Sequence, residues 1–167
     1  MALVTTIGVD INSLFSSVLD LQAPQVPLVK RYTVALANGV AANQANVVWA
    51  DQRTIAPSGV DSLDLQGGGL VDALGVAFAP VKLKAIIIQS AKANLNNLTL
   101  FGDANHVPIL GTVATVTTLQ PGGIYAQQWP ALAGVAVTAG TGDIVKVTNA
   151  AGTNSVVYDI IIIGTNA

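Results

Sequence analysis

The chain has 167 residues, of which 51% are hydrophobic and only 10% charged, and it carries a formal net charge of −2. A charged fraction so far below the ~25% of ordinary soluble domains, with its few Lys and Arg scattered, excludes the basic patch or stripe of a nucleic-acid binder. The absence of cysteine excludes disulfides, thiolate nucleophiles and most structural zinc sites, so stabilisation beyond the core has to come from packing or association.

The length suits one domain with a substantial core. A mean hydropathy of +0.59 raises the question of a membrane protein. The longest aliphatic runs, residues 86–88 and 160–163, nevertheless fall far short of the ~20 residues that span a bilayer. The opening MALVTTIG lacks the basic start and sustained apolar core of a secretory signal, so the chain is expected to stay where it is made or to leave by lysis. There is no glutamate. Gln, Asn, Ser and Thr stand where a helical protein carries Glu and Lys, and these residues favour turns and strands. The expectation is an all-β fold. Its apolar excess further predicts that part of the exterior is covered by another protein, since monomers rarely leave large apolar patches in water.

Residues 1–28 read as an N-terminal extended arm, which either runs over a neighbouring subunit or lies as a strand on the edge of its own sandwich. Ser13, Ser16 and Ser17 interrupt a loosely apolar run with a short helix over residues 11–21, and Pro24 and Pro27 prevent a regular helix or central strand beyond it. Residues 29–167 read as a single β-sandwich domain. In VKRYTVAL (29–36) Tyr32, Val34 and Leu36 alternate with Arg31, Thr33 and Ala35, the period of a half-buried strand, and Asn38-Gly39 supplies a turn. Further strands are predicted at 47–50 and 60–66. Gly67-Gly68-Gly69 ends the second of these as a plain loop, because no Lys followed by Ser or Thr completes a phosphate cradle. Residues 70–79 read as one short helical turn over an end of the sandwich.

VKLKAIIIQS (81–90) begins half-buried and ends buried on both faces, and a polar turn at 93–97 returns it into 98–102 as a hairpin. Strands follow at 109–119, 123–129, 135–138, 143–148 and 155–163. The stretch 144–164, IVKVTNAAGTNSVVYDIIIIG, reads as a closing β-hairpin whose second arm, buried on both faces at Ile160, Ile161, Ile162 and Ile163, forms the centre of the core. Eight or nine short strands joined by loops too short for crossover helices indicate an antiparallel β-sandwich, jelly-roll-like in character.

Chemistry is sparse. His106 is the only histidine, sits in a predicted loop, and has neither Cys nor Glu with which to build a metal site, so it reads as a surface residue. No Gly-x-Ser-x-Gly elbow surrounds a serine. Asp61 and Asp64 project to opposite faces of a strand, which weakens them as an acid–base pair, and Gly140-Thr141-Gly142-Asp143 lacks the successive acidic ligands of a calcium loop. No catalytic residue, cofactor or metal is assigned. Tyr125, Gln127 and Trp129 share one strand face that suits core packing, a partner or stacking on a sugar. Arg53, two residues after Asp51, suits a salt bridge or an inter-subunit contact. Together with Trp49 these make the candidate interface.

The segments Trp49-Ala-Asp-Gln-Arg53, Ser62-Leu-Asp-Leu-Gln-Gly-Gly68, Val81-Lys-Leu-Lys-Ala-Ile-Ile-Ile88, Leu119-Gln-Pro-Gly-Gly123 and Val137-Thr-Ala-Gly-Thr-Gly-Asp143, with the ending Tyr158-Asp-Ile-Ile-Ile-Ile-Gly164, resemble small capsid-associated proteins of tailed bacteriophages. These are similar to cement or decoration proteins. The resemblance implies a β-sandwich that forms trimers or dimers on the capsid exterior of the virion, assembled in the host cytoplasm. Its partner would be the major capsid protein and its role stabilising, not enzymatic. The alternative is a carbohydrate-binding jelly-roll module of a phage tail or surface structure. Neither reading involves nucleic acid or a membrane.

Overall fold

The structure, a computed structural model, describes residues 2–18, 20–111 and 115–167. Its strands are β1 Thr5–Ser16, β2 Gln25–Asn38, β3 Gln44–Ala45, β4 Val47–Ile55, β5 Val60–Asp64, β6 Lys82–Ser90, β7 Leu98–Phe101, β8 Val116–Leu119, β9 Ile124–Gln128, β10 Val135–Ala136, β11 Ile144–Thr148 and β12 Val156–Thr165. The fold is all-β, as the composition predicts. β9 and β10 pair in succession with β6, which continues through β12 to β4. A second sheet runs β5-β11-β7-β8, and both sheets are antiparallel.

One core joins the two sheets. Val156, Tyr158, Ile160 and Ile162 of β12 and Leu83, Ile86 and Ile88 of β6 meet Leu63, Leu98, Leu100, Val145 and Val147 of the opposite sheet. Every second residue of β12 enters this core because successive side chains of a strand point to opposite faces. The strand lies between β4 and β6 over nearly its whole length. The run 160–163 is therefore central, as expected, but it is not buried on both faces, because Ile161 on the outer face keeps 37% of its surface exposed. A bulge interrupts β6 where Ile163 pairs with Ala85 but Gly164 pairs with Leu83. Glycine is required there, since a Cβ on residue 164 would lie 2.5 Å from the Lys82 carbonyl oxygen.

Several expectations need correction. β11 and β12 are not a hairpin, for β11 pairs with β5 and β7 while β12 pairs with β4 and β6. Their connection crosses from sheet to sheet and is held by Asn149, which is fully buried. Its backbone N–H donates to Gly59 O at 3.0 Å, and its amide donates to Ala56 O at 3.1 Å and Asn154 O at 2.8 Å. In the same way β7 leaves β6 and joins the opposite sheet. The helical turn at 70–79 is instead a bend closed by the Val71–Ala77 bridge, with Asp72 Oδ1 accepting from the N–H of Leu74 and Val76. Part of the strand expected at 109–119 falls on residues 112–114, outside the described residues; β8 forms its end.

The largest departure is at the N-terminus. Of the helix expected at 11–21, residue 19 lies outside the described residues and residues 11–16 are strand: β1 pairs with β2 through twelve consecutive register partners, from Thr5↔Leu36 to Ser16↔Gln25. Ile11, Leu14, Val18 and Leu21 happen to recur at helical spacing, but Ile7, Val9 and Ile11 also alternate, and β2 supplies a pairing partner that a lone helix would lack. The turn is closed by Ser17 N–H donating to Pro24 O at 3.2 Å. Pro27 is accommodated opposite Leu14, far from Ala37 and Asn38 where β3 pairs with β2, a position that tolerates proline. β2 runs through position 28 without a break, so the arm is a hairpin made of both strands.

Candidate functional site

Polar clusters come first, because they are where catalysis would have to reside. Among the described residues no group of three or more His, Asp, Glu or Cys side chains is placed to hold a metal ion. The strongest cluster joins β4, β5 and β12. Arg53 makes a two-pronged ion pair with Asp61, Nε to Oδ2 at 2.5 Å and Nη2 to Oδ1 at 3.1 Å, and its Nη1 donates to Asp51 Oδ2 at 3.1 Å. The Tyr158 phenol donates to the same Asp61 Oδ2 at 2.8 Å. The hydrogen bond to Asp61 holds the Arg53 guanidinium even more firmly protonated than usual, against the opposing effect of burial. Burial first, then the Asp61 bond, pushes the Tyr158 phenol well above its ordinary pKa. Every member of the cluster is bonded to another, which makes it a clamp between the sheets.

His106 is buried, not on the surface as its loop position predicts, with 8% of its area exposed. Its Nδ1 lies 2.9 Å from Asp103 O and its Nε2 3.0 Å from Gly111 O. Both ring nitrogens thus face main-chain carbonyls. Asp64 Oδ1 accepts from the N–H groups of Gln66 and Gly67 at 2.9 and 2.7 Å, forming the turn before the glycine triplet. Asp143 Oδ2 caps Gly140 N–H at 2.6 Å. Lys84, fully buried at the β6 bulge, donates to Ala131 O and, at 3.4 Å, to Leu132 O. Burial, and then Lys82 nearby, lowers its pKa.

The five candidate interface residues are not brought together as one surface. Trp49 is 5% exposed and packs in the core, its ring 6.3 Å from that of Phe78. Arg53 is in the clamp. Tyr125 and Gln127 are register partners of Ile88 and Ile86, so they share the core-facing side of β9. The Tyr125 ring meets Phe101 edge-on at 5.3 Å, its hydroxyl donates to Gln127 Oε1, and burial raises its pKa. Trp129 is half-buried against the same core.

The arm is different in kind. On one face of the hairpin lie Ile7, Val9, Ile11, Ser13 and Phe15, with Val34, Tyr32, Lys30, Leu28 and Val26 opposite them. The other face mixes polar Thr6, Asp10, Asn12, Ser16, Thr33, Arg31 and Gln25 with Leu14, Pro27, Val29 and Ala35, so its apolar share is the smaller of the two, and Arg31 Nε lies 3.3 Å from Asp10 Oδ1. The hairpin is therefore amphipathic. At its base Ile7 and Leu36 are buried with Ala45 against Ile163 and Ala85, on the outer face of the β12-containing sheet. Beyond that base the same apolar face is left open, with exposures of 49% at Val9, 61% at Tyr32 and 76% at Phe15. Ladder bonds alone make a two-stranded ribbon only marginally stable in water. No single sequence signal reveals this apolar face, because it appears only once β1 and β2 are set in register.

Neither a protein-family model nor a curated protein sequence matches the chain.

Proposed function

We propose that the chain is a structural assembly subunit, a cement or decoration protein of a tailed-phage head, which stabilises the shell through protein contacts with the major capsid protein. The observation that carries this reading is the amphipathic hairpin, anchored at its base and open along its apolar face. A charge-poor exterior supports it, since few charges have to be desolvated on association. The saturated polar clusters support a non-enzymatic role. The phage-protein resemblance of the segments from Trp49 onward supplies the biological setting.

In this reading the hairpin tip, where Val18 and Leu21 are 93% and 99% exposed, reaches the shell protein, and copies associate as dimers or trimers on the capsid exterior. The carbohydrate-module alternative has less support, because Tyr125 already meets Phe101 and Gln127. The test is to purify phage particles from a host carrying the encoding genome. The protein is expected to co-migrate with intact heads, and heads lacking it are expected to break at lower temperature. Intact particles without the protein, with all of it in the soluble fraction, would overturn the proposal.

A further inference from the structure

We infer that the apolar face of the hairpin is covered by a second copy of this chain, lying on the outer face of that copy's β12-containing sheet. The inference deepens the assembly reading by naming the partner of one surface, and its test does not depend on a phage particle.

The receiving surface is read from register. Ala50, Ile161, Ile87 and Ala126 form one row across β4, β12, β6 and β9, all on the outer face. Antiparallel sheets that face water normally carry polar residues there. In this row Ile87 is half-buried against the cluster of the chain's own hairpin base, and Ala50, Ile161 and Ala126 are exposed. The next row along the strands, Val48, Ile163 and Ala85, is where the chain's own hairpin base is seated through Ile7 and Leu36. The open row thus continues an interface that the fold already makes, between this same hairpin face and this same sheet face. The arm carries more of the face than its own sheet takes up, and the sheet offers more row than its own arm covers.

Charge supports the match. Lys30, which is exposed, is the one charged residue on the apolar face, and among the described residues it takes part in no ion pair. On the receiving face the row next to Ile161 is Gln52, Asp159, Gln89 and Ile124, and Asp159 is exposed with only Gln52 Nε2 donating to it, at 2.9 Å. An arm laid along the apolar row brings Lys30 of one copy toward Asp159 of the other. Size is adequate as well. The open part of the arm, from Val9 to Ser16, is about 27 Å long and about 10 Å wide. Two arms exchanged reciprocally, with their two receiving strips, cover about 1,000 Å², the lower bound of a specific interface.

The test uses the full chain and exploits its lack of cysteine. Light scattering at micromolar concentration is expected to give the mass of a closed assembly of at least two copies. Lys30→Asp and Asp159→Lys are each expected to shift it toward monomer, and the double variant to restore it; both positions are exposed, so neither change threatens the fold. Mixing Ile11→Cys chains with Ile161→Cys chains under oxidation is expected to yield a disulfide-linked pair of unlike chains. A monomeric wild type, linkage only between like Ile11→Cys chains, or a monomer that instead co-sediments with phosphatidylcholine vesicles would each overturn the inference. A monomer that still binds phage heads would overturn it while leaving the shell role standing, and a dimer that binds no head would do the reverse.

Discussion

Tyr158 of β12 donates its phenol proton to Asp61 of β5 at 2.8 Å, so that residues 97 apart in the chain tie one sheet to the other. Asp61 is held on its other side by Arg53, and the bond therefore reaches a charged acceptor in a half-buried site. Tyr158→Phe keeps the ring in the core and removes that one bond. It is expected to cost about 1.5–3 kcal/mol in urea unfolding, the range for hydrogen bonds to charged groups, with far-UV circular dichroism unchanged.

The same pair sets a pH dependence. The folded-state pKa of Tyr158 is raised above the ordinary value of 10.0 by burial, then by the Asp61 bond. The fold therefore prefers the neutral phenol, while the unfolded chain ionises freely. The resulting stabilisation is complete below about pH 10 and is lost as the pH rises beyond it. Wild-type stability is expected to fall more steeply than that of Tyr158→Phe in this alkaline range, measured as urea midpoints at a series of pH values. Equal slopes would show that the phenol is free to ionise.

Asn149 offers a sharper contrast. Its buried amide nitrogen donates to the carbonyls of Ala56 and Asn154, so Asn149→Asp sets a carboxylate oxygen against carbonyl oxygens. Asn149→Ala is expected to cost about 1–3 kcal/mol through unsatisfied groups, and Asn149→Asp more, because an unpaired buried charge is added. Thermal unfolding at neutral pH checks the order of the two.

Neighbouring residues of β12 should respond very differently. Ile162 is fully buried between the sheets and Ile161 is 37% exposed on the outer face. Ile162→Ala is expected to cost about 2–5 kcal/mol and Ile161→Ala about 1 kcal/mol or less in the monomer. The comparison is made below the concentration at which copies associate, where comparable losses would mean that Ile161 is covered within the single chain.

Along the arm, stability should depend on distance from the base. Ile7→Ala removes a buried side chain from the cluster with Leu36 and Ile163, with an expected cost of about 2–4 kcal/mol. Phe15→Ala, at a site 76% exposed, is expected to leave the melting temperature within about 1 °C of wild type. Thermal unfolding followed by circular dichroism, below the concentration at which light scattering shows association, separates the two.

Much of the strand content is legible from period-two alternation, as in Tyr32, Val34 and Leu36 or along VKLKAIIIQS, because alternation reports a half-buried pleated surface directly. Partnership between strands is not legible in this way. The polar stretch 149–154 reads as a tight turn, yet buried Asn149 makes it a crossing between sheets, and the residues that accept from it, Ala56 and Asn154, have no distinguishing local pattern. The candidate site is similarly divided. Arg53 stands out as a residue seeking a carboxylate, whereas Asp61 as its main partner emerges only when β4 and β5 are brought together. Trp49 and Tyr125 resemble interface aromatics until the core closes over them.

Composition and alternation alone determine that this protein is all-β, poor in charge, free of cysteine chemistry, and built around residues 160–163, because these properties depend only on which side chains are present and at what period. Tertiary structure decides that the N-terminal residues form a hairpin, that β11 and β12 part company, and that one apolar face of the arm is left open beyond its base. Those outcomes depend on register and on which surfaces meet. A shift of one residue in register would turn Val9, Ile11 and Phe15 to the opposite face, and no property of the isolated segments distinguishes the two.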